Sequence, residues 1–162
     1  MARKLTHVDA RGRARMVDVS AKSETLRQAV ARGEVRMKPQ TLRLIKANRI
    51  AKGDVLAVAQ VAGVNAAKRT DELIPMAHTL PLTGVQIDFA LDEKAGTVGI
   101  QATVSTVART GVEMEALVAV TAAALAVYDM RKAVDRAMTI ERVRLVSKTG
   151  GRSGPYRRRG ES

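Results

Sequence analysis

The chain has no cysteine and no tryptophan, and its aromatic inventory is Phe89, Tyr128 and Tyr156. The missing thiols exclude disulfides, thiol catalysis, iron–sulfur clusters and thiolate zinc sites. Two histidines, His7 and His78, are too few for a His-rich metal centre within one chain. Long apolar runs are absent as well. The longest uncharged apolar run, Ala116 to Tyr128, falls short of the ~20 residues that span a bilayer, and it reads as a buried helix. The N-terminus is polar and basic, without the apolar core of a signal peptide, so the expectation is a soluble cytoplasmic protein with no membrane partner.

Acid is scarce too: 28 Lys and Arg stand against 16 Asp and Glu, a net charge of +12. Residues 1–20 contribute +3 (five basic, two acidic) and residues 150–162 another +3 (four basic, one acidic), which leaves +6 on the body. A field of this sign favours anionic partners such as nucleic acid, acidic lipid or a phosphorylated small molecule. The 162 residues suit one domain, and the 46% hydrophobic content is that of a globular chain.

Patterning along the chain gives an order of elements. Residues 1–20 read as a mobile arm. A short helix over Glu24 to Val30, stopped by Gly33, is followed by a short strand at Val35 to Lys38. Pro39 suits the first turn of a helix to about Asn48, and Gly53-Asp54 cap another from Val55 to Leu73, which Pro75 ends. Val85, Ile87, Phe89 and Leu91 alternate with polar residues as a half-buried strand. The turn Asp92 to Gly96 joins it to a second strand over Thr97 to Val107. The longest helix follows, Val112 to Ala137, then a last strand from Ile140 to Lys148. Gly150, Gly151, Gly154 and Pro155 release a flexible basic tail over 151–162. The order predicts an α+β domain over 21–150, a ferredoxin-like split βαβ with an extra helix in the first crossover. Its sheet is mainly antiparallel, with helices on one face.

The long helix is apolar all round through its middle and needs cover all round, either from a partner subunit or from the crossover helix. Its charges gather at the ends, Glu113 and Glu115 at the start and Asp129 and Lys132 at the finish. Asp129 and Lys132, three apart, share a helix face as an acid–base pair or a plain surface salt bridge. From Glu115 to Asp129 is ~21 Å along a helix, too far for one small-molecule reaction centre in one chain. Two copies packed antiparallel about a twofold bring one start near the other finish, which predicts an interfacial site. Lys52, Lys68 and Lys148 lie at element boundaries, and His78 in a loop held by Pro75 and Pro81. Individually each of these lysines reads first as solvated surface charge, and a lone loop histidine is a weak signal. Lys148 to Gly154 is glycine-rich but lacks the P-loop order, and GxGxxG, GxSxG and HExxH are all absent.

Assembled in order, several segments resemble one family, and the likeness runs from Leu5 to Gly154. They include Met16-Val17-Asp18-Val19-Ser20, Lys52-Gly53-Asp54-Val55, Ala66-Ala67-Lys68-Arg69-Thr70 and Leu73-Ile74-Pro75. Thr110-Gly111-Val112-Glu113-Met114-Glu115-Ala116-Leu117, Tyr128-Asp129-Met130 and Lys148 with Gly150-Gly151 complete the set. The family is cyclic pyranopterin monophosphate synthase of molybdenum-cofactor biosynthesis. The resemblance implies a homo-hexamer, a trimer of dimers with active sites between subunits. It also implies rearrangement of 3′,8-cyclo-7,8-dihydro-GTP to cyclic pyranopterin monophosphate with loss of pyrophosphate, and no cofactor.

By position, Asp129 and Lys132 become the catalytic acid/base pair, and Lys52, Lys68, His78 and Lys148 hold the triphosphate. Met76, Ala77 and His78, with Glu113, Met114 and Glu115, line the nucleotide pocket. Arg109 stands where the family typically has lysine, and alanine and threonine flank His78 in place of cysteine and proline. A nucleic-acid module on the same fold stacks bases on aromatics of its central strands, and Thr97 to Val104 has none, so no nucleic-acid partner is expected. A non-catalytic scaffold explains the apolar helix and leaves the two-ended charge pattern without a use.

Overall fold

The computed structural model describes residues 8–9, 11–47 and 54–161. Five strands form one antiparallel sheet in the order β2-β3-β1-β4-β5: β1 (Thr25–Arg36), β2 (Leu82–Asp92), β3 (Thr97–Ala108), β4 (Thr139–Thr149) and β5 (Tyr156–Arg157). The first crossover holds α1 (Pro39–Lys46), α2 (Val55–Ala67) and the single turn α3 (Thr70–Leu73); the second holds α4 (Glu113–Arg131). This is the ferredoxin-like α+β arrangement expected, with α2 and α4 packed on the sheet and on one another.

The first helix expected from the sequence is a strand. Glu24 to Val30 does not form a helix: Thr25 onward runs into the residues of the expected short strand and makes one twelve-residue β1. Ala29, Ala31, Gly33 and Val35 face inward with period two, while Arg32, Glu34 and Arg36 alternate with them. β1 pairs with β3 along its whole length and with β4 from Gln28 to Arg36 with two register shifts, so its pairing partners lie far away in sequence. That tertiary pairing overrides the local helix preference of the alanines. Gly33 is no helix stop; a Cβ there would lie 2.7 Å from Val120 Cγ1, so its absence lets α4 sit close on the sheet.

α4 also ends earlier than Ala137. Past Arg131 the buried carboxylate of Asp135 accepts from Lys38 N (2.9 Å), Thr41 Oγ1 (3.1 Å) and Ala137 N (3.3 Å). These bonds tie the chain down onto the start of α1 instead of continuing the helix, and the Lys38 N–H, first among them, holds the Asp135 carboxyl below its ordinary range. α2 stops at Ala67, where Thr70 Oγ1 donates back to Ala67 O (3.0 Å); its start is capped as expected, the Asp54 carboxylate accepting from Leu56 N and Ala57 N.

Small residues let the elements of the core close up. Ala116, Ala119, Ala123 and Ala124 of α4 are buried in one cluster with Ala59 of α2 and with Ala29, Ala31 and Ala102 of the sheet. A Cβ on Gly63 would meet Ile87 Cδ1 at 2.3 Å and the Ala119 carbonyl at 2.9 Å, so α2 and α4 approach backbone to side chain. α2 is thus the crossover element that covers part of the apolar helix, while Leu125 of α4 and Val58 and Val61 of α2 remain exposed. The tail folds back as well. Tyr156–Arg157 pair with Lys148 and Ser147, and the Glu161 carboxylate binds both Arg32 (3.0 Å) and Arg144. No helix among the described residues is long and apolar enough to cross a membrane.

Candidate active site

Two adjoining cavities open around the first turn of α4. The first is lined by the loop Met76-Ala77-His78, by Glu113, Met114 and Glu115 of α4, and by Val17 and Val19 from the segment expected to be a mobile arm. His78 Nε2 lies 2.8 Å from the carbonyl oxygen of Val17, which ties that segment to the loop. Glu115 forms the floor. It is buried, and burial, followed by the neighbouring charges of Glu113 and Asp71, pushes its carboxyl up to about 7. A carboxyl poised there is able to donate or accept a proton near neutral pH.

The second cavity, about 850 Å³, is bounded by Lys22 and Ser23 before β1, Arg27 of β1, Arg109 and Gly111 after β3, and Lys148 with the Gly151–Ser153 turn after β4. Glu113 is common to both cavities. Its Oε1 accepts from Lys148 Nζ at 2.7 Å, and the same ammonium reaches Ser153 Oγ at 3.3 Å. The first cavity thus holds two carboxylates and Lys22, the second is lined mainly by cations, and the Glu113–Lys148 ion pair stands at their shared wall. Among the described residues no three His, Asp or Glu side chains gather to hold a metal ion.

The structure brings six of the expected site residues, Met76, Ala77, His78, Glu113, Met114 and Glu115, into the first cavity and Lys148 into the second. It leaves the others elsewhere. Asp129 and Lys132 form an ion pair (2.6 Å) at the far end of α4, both side chains more than half exposed. The Asp129 carboxylate raises the Lys132 ammonium above its ordinary pKa. Lys68 is exposed at the end of α2 and lines neither cavity; Lys52 lies outside the described residues. Sequence reasoning missed Lys22, Arg27, Arg109 and Arg152 as cavity cations. The signal that was available is the Gly150-Gly151 pair, whose positive φ angles bend the tail back over Arg27.

Residues 16–151 match the model of the MoaC family. A cyclic pyranopterin monophosphate synthase of Thermomicrobium roseum is 63% identical over 154 residues, 95% of this chain and 93% of the relative. Proteins with the same description from Roseiflexus sp. (strain RS-1) and Pelotomaculum thermopropionicum are 61% and 59% identical, over 94% and 97% of this chain and 96% and 92% of the relatives. With the matched stretch holding every lining residue of the first cavity and all but Arg152 and Ser153 of the second, the chain belongs to the MoaC family.

Proposed function

We propose that the protein is a cyclic pyranopterin monophosphate synthase of molybdenum-cofactor biosynthesis, a phosphorus–oxygen lyase. It converts 3′,8-cyclo-7,8-dihydro-GTP to cyclic pyranopterin monophosphate and pyrophosphate. The observation that carries the reading is the pair of cavities: a carboxylate-floored space sized for a ring system opens directly onto a cation-walled space suited to a chain of phosphates. Relatives about 60% identical over nearly the whole chain bear that activity in their names.

In this reading Met76, Ala77, His78 and Met114 bracket the ring, and Glu113 and Glu115 accept from its N–H donors. Opening the purine-derived ring and reclosing it as a pyranopterin is a series of proton transfers, which positioned acids and bases perform. Asp129 and Lys132 are the catalytic pair. Because they stand some 21 Å along α4 from Glu115, they serve the cavity of a second subunit. The assembly is a homo-hexamer, a trimer of dimers, and the exposed apolar residues of α2 and α4 suit burial between copies. Lys52, Lys68, His78 and Lys148 hold the triphosphate, and their charge stabilises the departing pyrophosphate. Residues 21–150 are the catalytic domain, acting in the cytoplasm.

The test is pyrophosphate release from 3′,8-cyclo-7,8-dihydro-GTP by the parent, with Asp129→Asn and Lys132→Ala alongside. Release by the parent and its loss in both variants, with the oligomer intact, is expected. A folded, oligomeric parent that releases none overturns the reading.

A further inference from the structure

We propose that the tail after β4 locks that strand in register and so keeps Lys148 on the helix side of the sheet, with Arg158 and Glu161 as positioning residues. Only the use made of Lys148 rests on the function proposed above.

β4 has a weak point just before Lys148. On β1, Val30 opposes Ser147 and Ala31 opposes Leu145, so Val146 is an extra residue in that register, a β-bulge. Lys148 lies opposite Ala29, a core residue, and its ammonium meets Glu113 of α4 at 2.7 Å. Moving the bulge along the strand shifts β4 by one residue and carries Lys148 to the other face, away from Glu113. β1 alone leaves that choice weakly specified. On its other edge, among the described residues, β4 pairs with the two residues of β5.

The tail makes the choice. Gly154 N closes a turn on Gly151 O (3.1 Å), and Tyr156 then pairs with Lys148 and Arg157 with Ser147. Arg158 holds the bulge itself: its N–H donates to Val146 O (2.8 Å) and its Nε to Leu145 O (2.9 Å). Three residues on, the Glu161 carboxylate accepts from Arg144 Nε through one oxygen and from Arg32 Nη1 (3.0 Å) through the other. Arg32 and Arg144 oppose each other across β1 and β4, so this fastening spans both strands on the far side of the bulge from Lys148. Both guanidiniums are held independently of the tail, Arg32 Nε by Gln101 Oε1 and Arg144 Nη1 by the Arg142 carbonyl, each at 2.7 Å. The Glu161 side chain is only one-tenth exposed, and Arg144, followed by Arg32, holds its carboxyl below the ordinary range. Tyr156, Arg158 and Glu161 all lie beyond residue 151, where the family match ends.

The experiment is amide hydrogen exchange across residues 144–149 of the full-length protein, beside steady-state pyrophosphate release from 3′,8-cyclo-7,8-dihydro-GTP, with thermal melts as folding controls. Glu161→Gln is expected to speed exchange across 144–149 about three- to tenfold while β2 and β3 keep their protection. Arg158→Pro, which also removes the N–H to Val146 O, speeds it about tenfold or more. In both variants KM rises about three- to tenfold and kcat stays within about twofold, because a binding ammonium is misplaced. In a Lys148→Met background Glu161→Gln leaves KM unchanged, since the group being positioned is gone. A tail that served stability alone lowers the active fraction, so kcat falls at constant KM. That result overturns the inference, as does a KM rise that persists without Lys148 or exchange that is unchanged in both variants. A parent that turns over substrate while neither variant responds removes this inference alone. Faster exchange in the variants of a parent that releases no pyrophosphate keeps the lock and removes the reaction.

Discussion

At its first turn α4 is enclosed: the His78 loop, the segment before β1, the end of β4 and the folded-back tail all close on Glu113 and Glu115. At its last turn the same helix carries Asp129 and Lys132 outward, with each side chain more than half exposed. The first end has its carboxylates in a cavity and a pKa moved to about 7; the second has a short ion pair that solvent screens. The proposed reaction needs both positioned binding groups and a proton-transfer pair, and the residues proposed for the two stand at opposite ends of one helix. In the function proposed above, each end is half of a site, completed by the other end of a second copy.

The largest expected effect breaks or establishes that pairing. Asp129→Asn and Glu113→Gln each lower turnover by about 10²–10⁴-fold. Dissociating the two inactive variants together and reassembling them restores about a quarter of parental turnover, because half the dimers are mixed and each has one intact site of two. A mixture that stays inactive places both ends in separate roles.

The next effect concerns what holds the finish of α4 in place. Asp135→Ala strands the Lys38 and Ala137 N–H groups and the Thr41 hydroxyl, and is expected to cost about 3 kcal/mol in denaturant unfolding. A loss below about 1 kcal/mol means that the turn after α4 does not depend on this carboxylate.

A smaller effect, on the order of 1–3 kcal/mol, reports the enclosure of the start. The Glu115 pKa is raised on folding, so its stabilising contribution is present below the ordinary carboxylate value and is lost as pH rises through about 7. Glu115→Gln stays neutral and therefore gains stability on the parent between about pH 5 and pH 8, and a gap that does not widen with pH contradicts a buried, neutralised Glu115. The smallest effect sharpens the contrast at the other end. Asp129→Asn shifts unfolding by less than about 0.5 kcal/mol, since its partner ammonium is exposed, even though turnover collapses.

Which parts were legible follows from where the information lay. α1, α2, β2, β3 and α4 announce themselves through runs of apolar period and through caps such as Asp54, all local properties. The first part of β1 does not, because its inward positions there, Ala29, Ala31 and Gly33, are alanine and glycine, and nothing local distinguishes an alanine-rich strand between two partners from a short helix. At the site, Met76 to His78 and Glu113 to Glu115 are assembled in space as their motifs suggest. Arg27 escaped notice because its meaning depends on Gly151, more than a hundred residues away in sequence.

The sequence by itself determined the α+β order of elements, the basic character that selects an anionic ligand, and the family, because composition, periodicity and dense short motifs are written residue by residue. Tertiary structure alone decided that residues 25–36 are the central strand, that the tail returns to β4, and that Lys148 meets Glu113. Each of these depends on hydrogen bonds or charges brought together from distant parts of the chain, and no local preference encodes a partner that only folding supplies.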